Sequence, residues 1–336
     1  MDKQKIPSPK QDYKVLVKCN TYNQSAFILK AMQSFEMQLT PFPFVCLVMD
    51  DCSTDGERDV LGDFIHIHCE EVESYDDEMT SVIVASSRYN KNCTFAFYLL
   101  KKNLYKFEER KWDYYRPWQD RCQYEACCEG DDYWLSPTKL ADQVRYLDSH
   151  PDFILIGSNG LTIYSDKNLG VRYFNNCHIT REVKFEELVE KWFFPTASLL
   201  YRITLWDYYP KWYKEIHFSD DIIIMTCAIH GKVACLGDVT CAYRKGCGIT
   251  SELDKHHIYM NQQHLLFYNH LLEDTGDKYS DCLKKKIKIL EGRLDCFETK
   301  EKSKLLWMIK YPKDVLTSMI TKITPKLKVI IKKIVY

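Results

Sequence analysis

Three acidic side chains lie in the segment Glu129-Gly130-Asp131-Asp132-Tyr133-Trp134, which follows the apolar run Tyr124-Glu125-Ala126-Cys127-Cys128. The apolar run predicts a short buried strand. Open α/β sheets bind their ligands at the carboxyl ends of their strands, which is where the acidic segment falls. Crowded carboxylates repel one another unless a cation or strong donors compensate them, and hard divalent cations bind oxygen ligands. The segment therefore predicts a ligand site that holds a metal ion; the alternative is an acidic, solvated turn.

A helix is predicted directly after the acidic segment. Ser136 is the candidate N-cap, and Pro137 occupies the first helical position. Apolar residues then repeat at helical spacing at Leu140, Val144 and Leu147. The acidic segment thus joins a strand to a helix.

The N-terminal part of the chain predicts a strand, a helix and a second strand. Residues 13–19 and 44–49 are β-rich apolar runs, and polar residues 20–24 and 50–56 follow them. Between the runs, one helical face carries Ile28, Leu29, Met32 and Phe35. Such a unit is parallel with a right-handed crossover. Because it lacks a Gly-x-Gly-x-x-Gly turn and a P-loop, a nucleotide here would be held by carboxylates, amides and a metal ion.

Two further segments, one acidic and one rich in aromatic and basic residues, are interpreted from their composition alone. The acidic run at residues 70–78 is predicted to be a solvated loop before an extra strand at residues 82–84; alternatively, it shapes the ligand cleft. The aromatic and basic stretch at residues 111–118 is predicted to pack at a core edge, and the alternative is that one ring stacks on a sugar or base.

In four segments, taken in order, the chain resembles the family 2 glycosyltransferases, which are inverting, nucleotide-sugar-dependent enzymes. The four segments are residues 15–23, residues 50–55, residues 129–143 and residues 219–244. Together they span about three quarters of the chain. The resemblance implies the α/β architecture of the glycosyltransferase A fold, with a mostly parallel, Rossmann-like central sheet flanked by helices and a helical C-terminal extension.

The resemblance also implies domain boundaries. The expected parts are an N-terminal arm (1–12), a catalytic domain (13–252) with a nucleotide-sugar half (13–135) and an acceptor half (136–252), C-terminal helices (253–302) and a basic amphipathic tail (303–336).

A donor site formed at the strand ends is implied by the same resemblance. Its expected members are Thr21, Tyr22, Asn23, Asp51, Glu129, Asp131, Arg244 and Lys245. Asp51 is expected to accept a hydrogen bond from a uracil-type imide, with Thr21 and Tyr22 lining the base and ribose.

The metal and the leaving group complete the expected donor site. Asp131 and Asp132 are expected to hold Mn²⁺ or Mg²⁺ against the diphosphate, with Glu129 near the sugar or ribose. Family members often carry a histidine in the loop after the Tyr-Arg pair, and this chain has none there. Arg244 or Lys245 would therefore stabilise the departing diphosphate.

A general base is expected in Ser219-Asp220-Asp221, ahead of an apolar helix that ends at Gly231 as a C′ glycine. Inverting transfer needs one carboxylate to take the acceptor hydroxyl proton. The position eleven residues before Gly231 is Asp220, which makes it the expected catalytic base, with Asp221 as the second candidate. The alternative is a structural helix cap.

An acceptor-facing strand is expected at residues 194–202. In the family this strand lies near the acceptor, so Thr196 and Ser198 are candidates to face it. The alternative is that both hydroxyls bond to the backbone.

Composition indicates a cytoplasmic enzyme at a membrane surface. A net charge of −1 gives no field that favours nucleic acid, and fifteen scattered cysteines without paired zinc-site spacing suit reduced thiols. The N-terminus has no apolar core of a signal peptide. Residues 303–336 carry eight lysines and one acid, which predicts docking on the inner face of an anionic membrane; packing on the domain or a partner is the alternative.

The predicted function is transfer of a hexosyl or N-acetylhexosaminyl group from a nucleotide-diphosphate sugar, UDP-linked by expectation. The acceptor would be a hydroxyl of a glycan or lipid-linked oligosaccharide in cell-surface polysaccharide biosynthesis. One alternative is a non-catalytic relative that binds glycans or nucleotide sugars, but the chain keeps Asp131, Asp132 and Asp220. Another is a nucleotidyltransferase, but the chain lacks the glycine-rich, basic N-terminal loop of that class.

Overall fold

The computed structural model describes residues 6–105, 108–165, 167–246 and 257–310. The chain forms two compact units, Met1–Lys255 and His256–Tyr336. Residues 247–256, which include most of the predicted loop after Arg244, lie outside the described residues, as do residues 311–336 of the predicted tail.

A twelve-stranded sheet forms the centre of the described part of the first unit. Its strands are β1 (Tyr13–Thr21), β2 (Phe44–Asp50), β3 (Cys69–Asp76), β4 (Thr80–Ser87), β5 (Cys93–Leu100), β6 (Cys122–Cys127), β7 (Tyr133–Trp134), β8 (Phe153–Tyr164), β9 (Val171–Tyr173), β10 (Arg181–Val183), β11 (Leu200–Arg202) and β12 (Lys232–Lys245). The helices are α1 (Ile28–Glu36), α2 (Glu57–His68), α3 (Glu108–Gln119), α4 (Lys139–Ser149), α5 (Phe185–Glu190) and α6 (Asp220–His230). Short 3₁₀ helices occupy Lys167–Leu169, Thr196–Ser198, Ile203–Asp207 and Lys211–Glu215.

The strand order is β10-β12-β8-β11-β6-β1-β2-β5-β4-β3, with β7 paired to β12 and β9 paired to β8. Strands β6, β1, β2 and β5 run parallel to one another, and so do β8 and β12. Strand β11 separates these two parallel blocks and is antiparallel to both neighbours. The carboxyl ends of β1, β2 and β6 therefore meet at one edge of the sheet.

The predicted strand, helix, strand unit is confirmed by the parallel pairing of β1 and β2. Every residue of β2 is buried, as expected for a central parallel strand covered on both faces. Helix α1 buries Ile28, Met32 and Phe35, but Leu29 is 41% exposed, so the prediction for Leu29 is wrong. At about 100° per residue, Leu29 falls beside the apolar stripe and Ala31 completes it.

The acidic run is a strand, so the predicted loop at residues 70–78 is wrong. These residues belong mostly to β3, which pairs antiparallel with β4. Strand β3 is last in the sheet order, and an edge strand tolerates exposed acidic side chains. The turn between the two strands is closed by Asp77, whose Oδ1 accepts hydrogen bonds from the amides of Met79 (2.7 Å) and Thr80 (2.8 Å).

Other predicted boundaries also shift. Residues 196–198 form a 3₁₀ helix ahead of β11, so the strand predicted at residues 194–202 is reduced to Leu200–Arg202. Helix α4 has Thr138 rather than Ser136 at its N-cap position. The Thr138 hydroxyl donates to Asp142 Oδ2 at 2.6 Å, which ties the first turn together.

Gly231 ends α6 as predicted, but not as a left-handed C′ residue. Its φ of −170° is extended backbone. A Cβ at this position would lie 2.6 Å from Ile154 Cδ1, so the close approach to β8 requires glycine here.

The second unit contains α7 (His257–Thr275), a 3₁₀ turn (Gly276–Tyr279) and α8 (Ser280–Lys310). The two helices pack on each other, and Phe267, Leu271, Leu283 and Leu290 are buried. Among the described residues, no helix combines the length and the apolar composition needed to cross a membrane.

Candidate active site

Four carboxylates form one cluster near the carboxyl ends of the central strands: Glu129, Asp131, Asp132 and Asp220. The first three follow β6, whose turn continues along β1 because the Cys128 amide donates to the Lys18 carbonyl at 3.1 Å. Gly130 allows the close approach, since a Cβ there would collide with Thr21 Oγ1 and Gln24 Oε1. The predicted acidic turn therefore lies at the predicted edge of the sheet.

Asp132 fastens this turn to the end of β12. Its Oδ1 accepts a hydrogen bond from the Arg244 amide at 2.8 Å, and the side chain is buried. The Arg244 guanidinium contacts the Asp131 carbonyl oxygen and lies over the rings of Phe27 and Tyr133, 4.8 and 4.7 Å from their centroids. Burial, and then the charge of Asp131, raises the pKa of Asp132 well above its usual range.

Asp131 and Glu129 carry negative charge that the protein compensates only in part. Burial raises the pKa of Asp131, against the opposing effects of Arg244 and a hydrogen bond from Gln24. Desolvation, followed by the charges of Asp131 and Asp220, raises the pKa of Glu129 to about 7, although Lys18 opposes the shift. The Glu129 side chain itself is exposed to solvent.

Asp220 is the first residue of α6 and belongs to the same cluster. Its Oδ2 accepts a hydrogen bond from Thr196 Oγ1 at 3.0 Å, and its Oδ1 accepts one from the Asp221 amide at 3.0 Å. Burial raises the pKa of Asp220. The charge of Asp220 in turn raises the pKa of Glu129 and of Tyr243.

The two candidate hydroxyls of the acceptor segment have different environments. Thr196 bonds to Asp220 rather than to the backbone. Ser198 is fully buried, and its Oγ has no hydrogen-bond partner among the described residues, so it does not line an open cleft.

The loop after β1 is braced by a glutamate that the sequence interpretation missed. Glu57, at the start of α2, is buried and accepts hydrogen bonds from the Thr21 hydroxyl, the Gln24 amide (2.8 Å) and the Ser53 hydroxyl (2.9 Å). Burial raises its pKa. The Thr21 hydroxyl is thus engaged inside the protein. The signal available in the sequence was an acidic residue in the first turn of a helix, which is normally read as a favourable dipole contact.

The remaining donor candidates of the first loop lie at the same edge. Asn23 has a left-handed φ of 54°. Its backbone N–H donates to Ser53 Oγ at 2.8 Å, and its side-chain Oδ1 accepts from the Thr54 backbone N–H at 2.8 Å. Asn23 therefore joins the loops after β1 and β2. Tyr22 beside it is half-buried, and Lys245 is exposed at the end of β12.

Asp51 is buried beside a lysine that was also missed. Its Oδ1 accepts a hydrogen bond from the Leu104 amide at 2.6 Å, and its Oδ2 accepts one from Lys111 Nζ at 2.8 Å. Lys111 comes from α3, within the stretch predicted to pack at a core edge. Tyr115 and Trp118 of that stretch are buried, which confirms the packing.

Lys18 occupies the other side of the acidic turn. Its ammonium lies over the rings of Tyr115 (4.7 Å), Trp112 (5.9 Å) and Trp206 (5.9 Å). Lys18 is the positive charge that lowers the pKa of Glu129. The sequence signal for this position was a lysine inside an otherwise apolar stretch of β1.

The donor set fits a hard divalent cation that is shared with a substrate. Asp131 and Glu129 supply carboxylate oxygens, and their raised pKa values indicate negative charge that a cation would compensate. Among the described residues, no group of three or more histidine, cysteine, aspartate or glutamate side chains forms a metal site by itself. Divalent cations at phosphate-binding sites often use one or two carboxylates and take their other ligands from phosphate and water.

Comparison with known proteins gives distant relatives in sequence. No family model matches the chain. The chain is 26% identical over 232 residues to the uncharacterized proteins Mb1547 of Mycobacterium bovis and Rv1520 of Mycobacterium tuberculosis. The match covers 67% of this chain and 57% of each relative, so the chain spans little more than half the length of these curated relatives.

Comparison with solved structures identifies the fold. S. aureus TarS in complex with UDP aligns with a TM-score of 0.52 and 14% identity, over 83% of this chain and 71% of that one. The mannosyltransferase PcManGT from Pyrobaculum calidifontis, in complex with GDP-Man and Mn²⁺, aligns with a TM-score of 0.52 and 12% identity, over 94% of this chain and 86% of that one. The chain therefore has a fold of the glycosyltransferase A type, with a mostly parallel sheet, flanking helices and a C-terminal helical extension.

Proposed function

We propose that this protein is an inverting glycosyltransferase of family 2 that moves a sugar from a nucleoside-diphosphate sugar to a glycan hydroxyl. The observation that carries the proposal is the cluster formed by Glu129, Asp131 and Asp220 in a glycosyltransferase A fold. The coupling of their charges, seen in the raised pKa of Glu129, supports a common site.

The nucleobase of the nucleotide-sugar donor would bind at Asp51 and Lys111. This pair offers a hydrogen-bond acceptor beside a hydrogen-bond donor, because the Asp51 carboxylate oxygens keep free lone pairs and the Lys111 ammonium has further N–H groups. Uracil presents an N–H flanked by carbonyls, which matches that pattern, and so does the N–H and carbonyl edge of guanine. Cytosine and adenine present a ring-nitrogen acceptor there. A UDP-sugar is the proposed donor and a GDP-sugar the second candidate. TarS was solved with UDP and PcManGT with GDP-Man, which accords with both.

Asp131 and Glu129 are the proposed ligands of Mn²⁺ or Mg²⁺. Asp132 would support them by holding the turn, since one of its oxygens is already bonded to the Arg244 amide. When bound, the cation would offset charge on the leaving diphosphate. The Arg244 and Lys245 side chains at the end of β12 would add positive charge on the same side.

Asp220 is the proposed general base. It would take the proton of the acceptor hydroxyl while the hydroxyl oxygen forms a bond to the anomeric carbon and the bond to the diphosphate breaks. Its raised pKa makes it a better proton acceptor than an ordinary aspartate. Thr196 orients the carboxylate through Oδ2. A single displacement inverts the anomeric centre, so an α-linked donor gives a β-linked product.

The proposed setting is the inner face of the cell membrane, with a lipid-linked or polymeric glycan as the acceptor in cell-surface polysaccharide synthesis. The support is the sequence of residues 303–336, in which eight lysines alternate with apolar clusters.

Release of nucleoside diphosphate from UDP-glucose, UDP-N-acetylglucosamine and GDP-mannose, with Mn²⁺ present, tests the proposal. We expect the wild-type protein to release UDP or GDP from at least one donor, and the Asp220→Asn variant to do so far more slowly when an acceptor is present. A wild-type protein that binds these donors without turnover, under all acceptor conditions, would instead support the non-catalytic alternative.

A further inference from the structure

A groove opens in the acceptor half of the sheet, between β9 and the segment that follows α5. Its volume is about 360 Å³, and its lining includes Tyr173, Phe174, Asn176, His178, Lys191 and Trp192. We call it the 173–192 groove. Sites for small organic ligands have volumes of roughly 300–1,000 Å³, so the groove can hold part of such a molecule.

Aromatic rings are presented to solvent along this groove. Tyr173 is 62% exposed and Trp192 is 41% exposed. Both rings are nevertheless held in place by edge contacts: Tyr173 by His178 at 5.4 Å, and Trp192 by Phe174 at 5.0 Å. Large rings that are rigid and exposed offer contact area with little loss of conformational freedom on binding.

Polar groups of several kinds lie among the rings. The Lys191 ammonium donates to Asn176 Oδ1 at 3.3 Å, and the His178 imidazole is at the same rim. An amide, an imidazole and an ammonium beside exposed rings match the chemistry of a sugar, which has apolar C–H faces and a perimeter of hydroxyls.

The groove shares a wall with the carboxylate cluster. The Tyr243 ring contacts Trp192 at 5.3 Å and Phe174 at 5.7 Å. Burial raises the pKa of the same tyrosine, and so do the charges of Asp132 and Asp220. Tyr243 therefore lies between the rings of the groove and the carboxylate cluster, which places the groove beside the candidate base.

We propose that the 173–192 groove binds the acceptor glycan, holding sugar rings next to the one that carries the attacking hydroxyl. This inference rests on the proposed transferase function and adds the surface that binds the acceptor. The occupant is a carbohydrate chain, whose rings stack on Trp192 and Tyr173 and whose hydroxyls bond to Asn176 and Lys191.

Binding to immobilised oligosaccharides tests the proposal directly. The probes are chains of glucose, galactose, mannose, rhamnose or N-acetylglucosamine, and the proteins are wild type, Trp192→Ala, Tyr173→Ala and Tyr89→Ala. Tyr89 is the matched control, because it is 70% exposed, has a histidine edge contact of 5.4 Å, and follows β4 at the far end of the strand order. Thermal melting of each variant checks folding.

We expect wild type and Tyr89→Ala to bind the same glycans, and Trp192→Ala and Tyr173→Ala to bind them roughly tenfold or more weakly. Retention of no glycan by wild type, or equal retention by all four proteins, overturns the inference. UDP binding is measured on the same preparations. If glycan binding depends on Trp192 but no nucleotide binds, the inference holds and the proposed transferase function is refuted. If UDP binds but glycan binding is unchanged in both the Trp192→Ala and Tyr173→Ala variants, only the inference is refuted.

Discussion

The hydroxyl of Thr196 donates a hydrogen bond to the carboxylate of Asp220 across 3.0 Å, from a 3₁₀ helix to the first residue of α6. The other oxygen of that carboxylate accepts a hydrogen bond from the Asp221 backbone amide, so the protein positions both oxygens. The protein therefore orients the Asp220 carboxylate before any substrate binds, and the charge of Asp220 contributes to the raised pKa of Glu129.

Replacing Asp220 by asparagine is expected to lower the rate of glycosyl transfer by about 10²–10⁴-fold, the usual contribution of a general base. Asparagine keeps the size, its oxygen can still accept from the Asp221 amide, and its NH₂ group can donate to the Thr196 hydroxyl oxygen, so melting temperature and nucleotide affinity should change little. Steady-state transfer kinetics measure the effect. Asp221→Asn, made in parallel, should have the smaller effect; the reverse order would assign the base to Asp221, and full activity in both variants would refute a base at this position.

Removing the Asp51 carboxylate is expected to weaken UDP binding by about 1–3 kcal/mol, because a buried polar partner is lost. Calorimetric titration of Asp51→Ala with UDP measures this loss. Asp63→Ala, on the exposed face of α2, is the control. Lys111→Met should reduce discrimination between UDP and CDP, since the substitution removes the hydrogen-bond donor of the Asp51 and Lys111 pair. Unchanged UDP affinity in Asp51→Ala would show that the uracil ring binds elsewhere.

Asp131 and Asp132 should have separable roles although they are adjacent. Asp131→Asn is expected to abolish the part of nucleotide binding that depends on Mn²⁺, with little change in stability. Asp132→Ala leaves the buried Arg244 amide without its acceptor and should lower the free energy of unfolding by about 1–3 kcal/mol. Chemical denaturation and titration with and without chelator distinguish the two effects. Mn²⁺-dependent binding that survives Asp131→Asn would contradict the assignment.

The ligand-free protein should become less stable as the pH rises towards 7 through the titration of Glu129. The ordinary pKa of this side chain is 4.5, and in the folded protein it is about 7. Between these values the folded state binds more protons than the unfolded state, so the stabilisation is present at low pH and is lost as the pH rises through the folded value. Melting temperatures from pH 5 to 8 should decline less for Glu129→Gln than for wild type. Parallel curves for the two proteins would show that Glu129 titrates normally.

Local pattern was enough to predict the elements that position the cluster. The apolar runs gave β1, β2 and β6, and the polar residues directly after them lie at one edge because parallel strands align their carboxyl ends. The contacts that complete the site could not be predicted in this way. Lys111 reaches Asp51 from 60 residues further along the chain. That pairing depends on where α3 packs, which no local periodicity encodes.

The wrong predictions have related causes. The acidic residues of β3 look like a loop by composition, but pairing with β4 and a place at the sheet edge make a strand compatible with them. The contact between Asp132 and the Arg244 amide, 112 residues further along the chain, was likewise absent from the sequence interpretation. Tertiary contacts determined both outcomes, and sequence spacing carries no information about them.

The central claim is that the carboxylate cluster binds a nucleotide sugar with a divalent cation, and thermal stabilisation by a panel of nucleotide sugars tests it most directly. The panel contains UDP-, GDP-, CDP- and ADP-linked sugars, each with Mn²⁺ and with chelator, and the proteins are wild type and Asp131→Asn. We predict that at least one UDP- or GDP-sugar raises the melting temperature of wild type only when Mn²⁺ is present, and that Asp131→Asn loses this shift. A panel in which no nucleotide sugar shifts the melting temperature, or in which the shift is equal with chelator, would contradict the account.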